Sequence, residues 1–110
     1  SDPFVVARFG SQDKKTRVEW GTSTPRWDER LSFTGTLGEF TAEPLRLDII
    51  DRDPLDPQKD VPLGIARVAL QALRSQSRIV FEQTPLDGGA GDVTFSATWI
   101  PTADTHPPTR

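Results

Sequence analysis

Hydrophobic and polar positions alternate along most of this chain, and the alternation stops at short clusters of Gly, Pro, Asn-like and Ser/Thr residues. A period of two puts successive side chains on opposite faces of a β-strand. Residues 4–9 read as a first strand, closed by Gly10-Ser11-Gln12-Asp13, and residues 14–20 as a second, closed by Gly21-Thr22-Ser23-Thr24-Pro25. Residues 30–35 read as a third. Leu45, Leu47 and Ile49 alternate with Arg46 and Asp48, which predicts a half-buried fourth. Residues 63–68 and 78–82 follow, separated by a stretch in which Val68, Leu70, Ala72 and Leu73 allow a short helical turn. Val93, Phe95, Ala97 and Trp99 alternate with Thr94, Ser96 and Thr98 in a last strand. Many short strands punctuated by turns predict an all-β, antiparallel sandwich or barrel.

Composition narrows the possibilities. A chain of 110 residues is the size of one domain. With no cysteine, neither a disulfide framework nor a zinc–thiolate site is available, which fits a cytoplasmic location. No apolar run approaches the length of a membrane span, and no N-terminal stretch has the pattern of a signal peptide. A net charge of −3 argues against nucleic acid as a partner, because phosphate neutralisation needs a basic face. The lone histidine, His106, sits in a Pro-rich tail; without cysteine or a second histidine, no usual nucleophile–base pair is present, and no enzymatic activity is expected. Gly88-Gly89-Ala90-Gly91 is no phosphate-binding loop, since no helix is predicted after it. Trp20, Trp27, Trp99 and the phenylalanines are expected in the core.

The acidic excess is local. The apolar segment 45–50 runs directly into Asp51-Arg52-Asp53-Pro54-Leu55-Asp56-Pro57-Gln58-Lys59-Asp60. Carboxylates this close repel one another unless a cation or water relieves them. Hard cations such as calcium take about six to eight oxygen ligands, which suits a flexible aspartate cluster.

Five segments resemble C2 domains in order and spacing. Ser1-Asp2-Pro3-Phe4-Val5 is similar to their Ser-Asp-Pro-Tyr-Val signature. Thr24-Pro25-Arg26-Trp27-Asp28-Glu29-Arg30-Leu31-Ser32-Phe33 is similar to their Thr-x-x-Pro-x-Trp-x-Glu-x-Phe-x-Phe segment. Asp51-Arg52-Asp53 matches the Asp-x-Asp that heads their third loop, and Leu63-Gly64 the glycine that opens the next strand. Val68-Ala69-Leu70-Gln71-Ala72-Leu73 resembles their Ile-Pro-Leu-x-x-Leu stretch.

The resemblance implies an eight-stranded antiparallel C2-type β-sandwich in the family's second circular topology, with about seven strands in residues 1–101 and a Pro-rich tail over 102–110. The family strand that precedes the first loop has no counterpart here, so a strand supplied by another segment or chain is an expected partner. The resemblance further implies that Asp2, Asp51, Asp53 and Asp60 ligate calcium, with Asp56 assisting. Leu55 falls where such loops carry an apolar tip residue. Lys15 and Arg17 align with the basic pair that binds phosphoinositides in the family, Arg8 with a third basic position, while Val6 replaces a fourth. The implied function is calcium-dependent binding to anionic phospholipid, targeting a host protein to membranes as a cytoplasmic, peripheral module. A calcium-independent interaction module or a structural scaffold is the alternative.

Overall fold

A computed structural model describes residues 1–102 of the chain. Strand β1 (Pro3–Phe9) turns back through Gly10-Ser11 into β2 (Gln12–Lys15), with Phe9 opposite Gln12. Gly10 takes φ +55°, a conformation that costs glycine least. Strand β3 (Leu45–Asp51) pairs with the other edge of β1, and β4 (Val61–Val68) with β3, giving an antiparallel sheet in the order β2-β1-β3-β4. The alternation read from the sequence sets its two faces. Val5, Ala7, Phe9, Leu45, Leu47, Ile49, Ala66 and Val68 are buried on one side. Val6, Arg8, Arg46, Asp48, Ile65 and Arg67 occupy the positions between them. Burying each large aliphatic or aromatic side chain of the inner set contributes about 1.5–3 kcal/mol.

The second layer is the hairpin β5 (Arg78–Pro85) and β6 (Asp92–Thr98), which lays Ile79, Phe81, Val93, Phe95 and Ala97 against that core. Phe81 and Phe95 stack at 4.9 Å. The layers are stitched at one point, where Ile65 and Asp87 exchange backbone hydrogen bonds of 2.9 and 2.8 Å. Two glycines permit this approach. Gly64 has φ +152°, and a Cβ there would lie 2.7 Å from Leu86 Cβ; a Cβ on Gly89 would run into the Leu63 carbonyl. The turn after residue 86 therefore serves layer packing as well as chain reversal.

Several sequence expectations change, among them the second strand, which covers Gln12–Lys15 rather than 14–20. Residues 30–35 form no strand. Leu31 and Phe33 do turn toward the core, but the segment is tied by the Gln12 side chain to the Thr34 backbone (2.9 and 3.3 Å) rather than by a strand ladder. Six regular strands are present among the described residues instead of about seven. β6 pairs on one edge only, and no residue of β5 or β6 is fully buried. A groove of about 400 Å³ lies between Phe33–Leu37 and Trp99–Thr102.

A short helix, α1 (Leu37–Ala42), was not anticipated. Thr36 caps it by accepting from Glu39 N–H (3.1 Å), and Glu39 returns the bond to Thr36 N–H (3.0 Å). That backbone bond, with the Thr36 side chain, holds the Glu39 carboxyl below its usual range. The Thr-x-x-Glu spacing is the sequence signal of such a cap. α1 delivers Phe40 to Phe9 (4.9 Å, edge-on) and Trp99 (5.8 Å). A further change concerns Trp20, expected in the core but 61% exposed. The short helical turn is present as Gln71–Arg74. The expected tail, beyond Thr102, and His106 lie outside the described residues.

Candidate functional site

Three segments meet at one end of the sandwich because β1 and β3 are antiparallel neighbours, with Pro3 opposite Asp51. Asp2 is the hub. Its N–H donates to Asp51 Oδ1 (2.7 Å), its carbonyl accepts from Arg52 N–H (2.9 Å), and its Oδ1 accepts from Gly21 N–H (2.7 Å). Thr22 N–H reaches the Ser1 carbonyl at 2.8 Å. Ser1-Asp2, the 20–24 turn and the 51–60 loop are thereby locked together. Trp27 supports this end from below: its Nε1–H donates to the Pro3 carbonyl (3.1 Å), a structural role as expected.

Within the loop, carboxylates hold backbone. Asp53 Oδ1 accepts from Leu55 and Asp56 N–H (2.9 Å each), closing a tight turn. Asp56 Oδ1 accepts from Gln58 N–H (3.0 Å) and caps a single 3₁₀ turn, Pro57–Lys59. Asp60 Oδ1 accepts from Asp53 N–H (2.8 Å). The turn throws Leu55 outward, 94% exposed. All five sequence-predicted aspartates thus lie at one end. In Asp2, Asp51, Asp53 and Asp56 one oxygen is used internally and Oδ2 carries no hydrogen bond from the described residues.

Asp60 differs. Its Oδ2 faces Arg52 Nε at 3.2 Å. The contact is one of charge: Arg52 Nε is buried and makes no aligned hydrogen bond among the described residues. The guanidinium also lies over the Phe4 ring, 4.6 Å from its centroid. Arg52 thus fills part of the loop with a cation belonging to the chain. The donor set is of the hard-oxygen kind calcium takes. Its geometry is open: among the described residues no three acidic side chains are drawn close enough together to hold an ion.

The outer face of the four-stranded sheet carries the predicted basic residues differently. Arg8 lies in one cross-strand row with Asp13, Arg46 and Arg67. It pairs with Asp13 (2.7 Å) and Asp48 (3.0 Å), so its charge is internally matched. Arg46 grips Asp48 through two bonds of 2.9 and 2.8 Å. Burial pushes the Asp48 carboxyl up, but hydrogen bonds and charge from Arg46 and Arg8 together outweigh it, and the carboxyl lies below its usual range. The Arg46 guanidinium is raised by the same contact. Lys15, opposite Val6, is exposed on this face with no ion pair among the described residues. Arg17 is not its equal partner. The ladder is interrupted at Thr16, whose hydroxyl replaces a backbone acceptor for Val5 N–H (3.0 Å), and Arg17 turns to Glu29 (3.6 Å) and Glu19 (3.8 Å). Arg46 is marked in the sequence only as polar alternation and Arg67 is not marked at all; the strand register is what joins them to Arg8.

An antiparallel sandwich that gathers aspartate-bearing loops at one end, with an apolar tip among them, defines a loop-end binding module. The C2 domain family model matches residues 1–84, and the chain belongs to the C2 domain family. It is 34% identical over 101 residues to extended synaptotagmin-3 of Xenopus tropicalis, covering 91% of this chain and 11% of that protein. Protein C2-DOMAIN ABA-RELATED 11 of Arabidopsis thaliana is 34% identical over 79 residues, 72% of this chain and 45% of the relative. GTPase activating protein 1 of Oryza sativa subsp. indica is 42% identical over 53 residues, 48% of this chain and 30% of that protein. The chain therefore spans less than half the length of each of these relatives. No helix among the described residues is long and apolar enough to cross a membrane.

Proposed function

We propose that the loop end binds anionic phospholipid membranes in a calcium-dependent way, bringing a larger cytoplasmic protein to the membrane surface as a peripheral, non-catalytic module. The observation that carries this reading is the shared frame: Asp2, Asp51, Asp53 and Asp56 each keep an uncommitted Oδ2 around an exposed Leu55. Bound calcium would supply positive charge where the carboxylates otherwise repel anionic headgroups, and would accept lipid phosphate oxygens. Asp2, Asp51 and Asp53 would have to draw closer together to hold it, with Asp56 assisting and Asp60 joining only as Arg52 gives way. Leu55 would add apolar contact, worth at most about 1.5–3 kcal/mol on full burial. On the sheet face, Lys15 and Arg67 supply cations toward phosphoinositide headgroups, whereas Arg8 and Arg17 are held by their own carboxylates.

A calcium-independent interaction module is the second reading. It is favoured by the Arg52–Asp60 contact and by the loop's own hydrogen bonds, which hold its shape without an ion. In either case the edge of β6 left unpaired among the described residues suits a strand supplied by another segment or chain. Co-sedimentation with phosphatidylserine vesicles in calcium and in chelator separates the two readings. Pelleting only with calcium is expected; equal pelleting in both favours the second.

A further inference from the structure

We infer that Trp20 is a second anchor of the loop end and that it seats in the interface of an anionic phospholipid bilayer. Trp20 is 61% exposed, although a tryptophan offers one of the largest apolar surfaces available for burial. Its exposure is enforced from both sides. Glu19 N–H donates to the Pro3 carbonyl (2.9 Å), and Gly21 N–H to Asp2 Oδ1 (2.7 Å). Gly21 turns the chain at φ +67°. These bonds fix the backbone on either side of the indole and also organise the aspartate loop.

The same Asp2 binds Asp51 and Arg52, so Trp20 and Leu55 project from one frame. Val61, opposite Asp51 in register, is a further exposed apolar residue (54%). Trp20 Nε1–H meets no protein acceptor among the described residues, whereas Trp27 Nε1–H does. An open ring with a free donor suits the headgroup boundary, where one part of the side chain is apolar and the other wet. This inference rests on the membrane-facing reading of the loop end.

The test follows tryptophan emission and pelleting together, with phosphatidylcholine–phosphatidylserine vesicles and calcium, for the wild type, Trp20→Phe and Trp20→Ser. Vesicle-bound wild type should show a blue shift and protection from acrylamide that vanish in Trp20→Phe. Trp20→Ser should bind vesicles about ten-fold more weakly, the loss expected for partial burial of one large apolar side chain. Wild type that pellets without an emission change, or Trp20→Ser with unaltered affinity, overturns the anchor while leaving the membrane reading intact. No pelleting of wild type in calcium or chelator overturns both.

Discussion

Asp48→Asn separates stability from binding in opposite directions. Asp48 is 8% exposed and receives bonds of 2.8 and 2.9 Å from Arg46 and 3.0 Å from Arg8. Removing one partner of a buried ion pair costs about 3–5 kcal/mol. Both arginine side chains are about 40% exposed and can turn to water, so the loss is reduced to about 2–3 kcal/mol. Melting should fall by about 10 °C. Because the folded carboxyl is depressed, its stabilisation is complete above the unfolded value of about 3.9 and fades as pH falls through the folded value. The gap between wild type and variant should therefore be full at pH 7 and close in acid. The freed arginines should strengthen binding to anionic vesicles about five-fold, from about 1 kcal/mol per added surface charge. Urea denaturation across pH and vesicle titration at pH 7 read the two effects. A variant within about 0.5 kcal/mol of wild type at pH 7, or a gap that persists undiminished in acid, would refute the reasoning.

Other perturbations probe the remaining parts. Gly64→Ala should lose about 3 kcal/mol in urea denaturation, from the 2.7 Å approach to Leu86 Cβ and a backbone conformation alanine resists; a loss under about 1 kcal/mol would mean the layers are not held this closely. Arg52→Met keeps an apolar stem over Phe4 but removes the charge at Asp60, so calorimetry should find calcium bound about ten-fold more tightly, as expected for deleting a like charge a few ångströms away. Unchanged or weaker binding would show that Arg52 does not compete for the site. Lys15→Ala should weaken phosphoinositide-vesicle binding about five-fold, whereas Arg17→Ala, already paired with Glu19 and Glu29, should change little. Equal losses would contradict the neutralisation of Arg17.

Most of the fold was legible because alternation is local. Val5, Ala7, Phe9 and Leu45, Leu47, Ile49 needed only their own spacing to declare an inner face. What escaped depended on neighbours. Residues 30–35 have strand-like residues, but a strand also requires a partner edge, and no local pattern reports one. Helix α1 is signalled only by the Thr36–Glu39 cap spacing, because its apolar run is too short to show a helical period. Trp20 was misplaced because its hydrophobicity suggested the core, while clamps from Ser1, Asp2 and Pro3 fixed it outside. The aspartates were found by proximity in sequence and by resemblance, yet their division into bound Oδ1 and open Oδ2 is a property of three loops meeting. Arg52 was visible between Asp51 and Asp53, but its pairing with Asp60 was not.

The central claim is that calcium held by the third-loop aspartates drives membrane binding. Its most direct test is co-sedimentation of wild type and the Asp51→Asn/Asp53→Asn variant with phosphatidylserine vesicles, each in calcium and in chelator. Calcium-dependent pelleting of wild type, abolished in a variant that still melts cooperatively, is the predicted result. Pelleting of the variant that remains as calcium-dependent as that of wild type would contradict it.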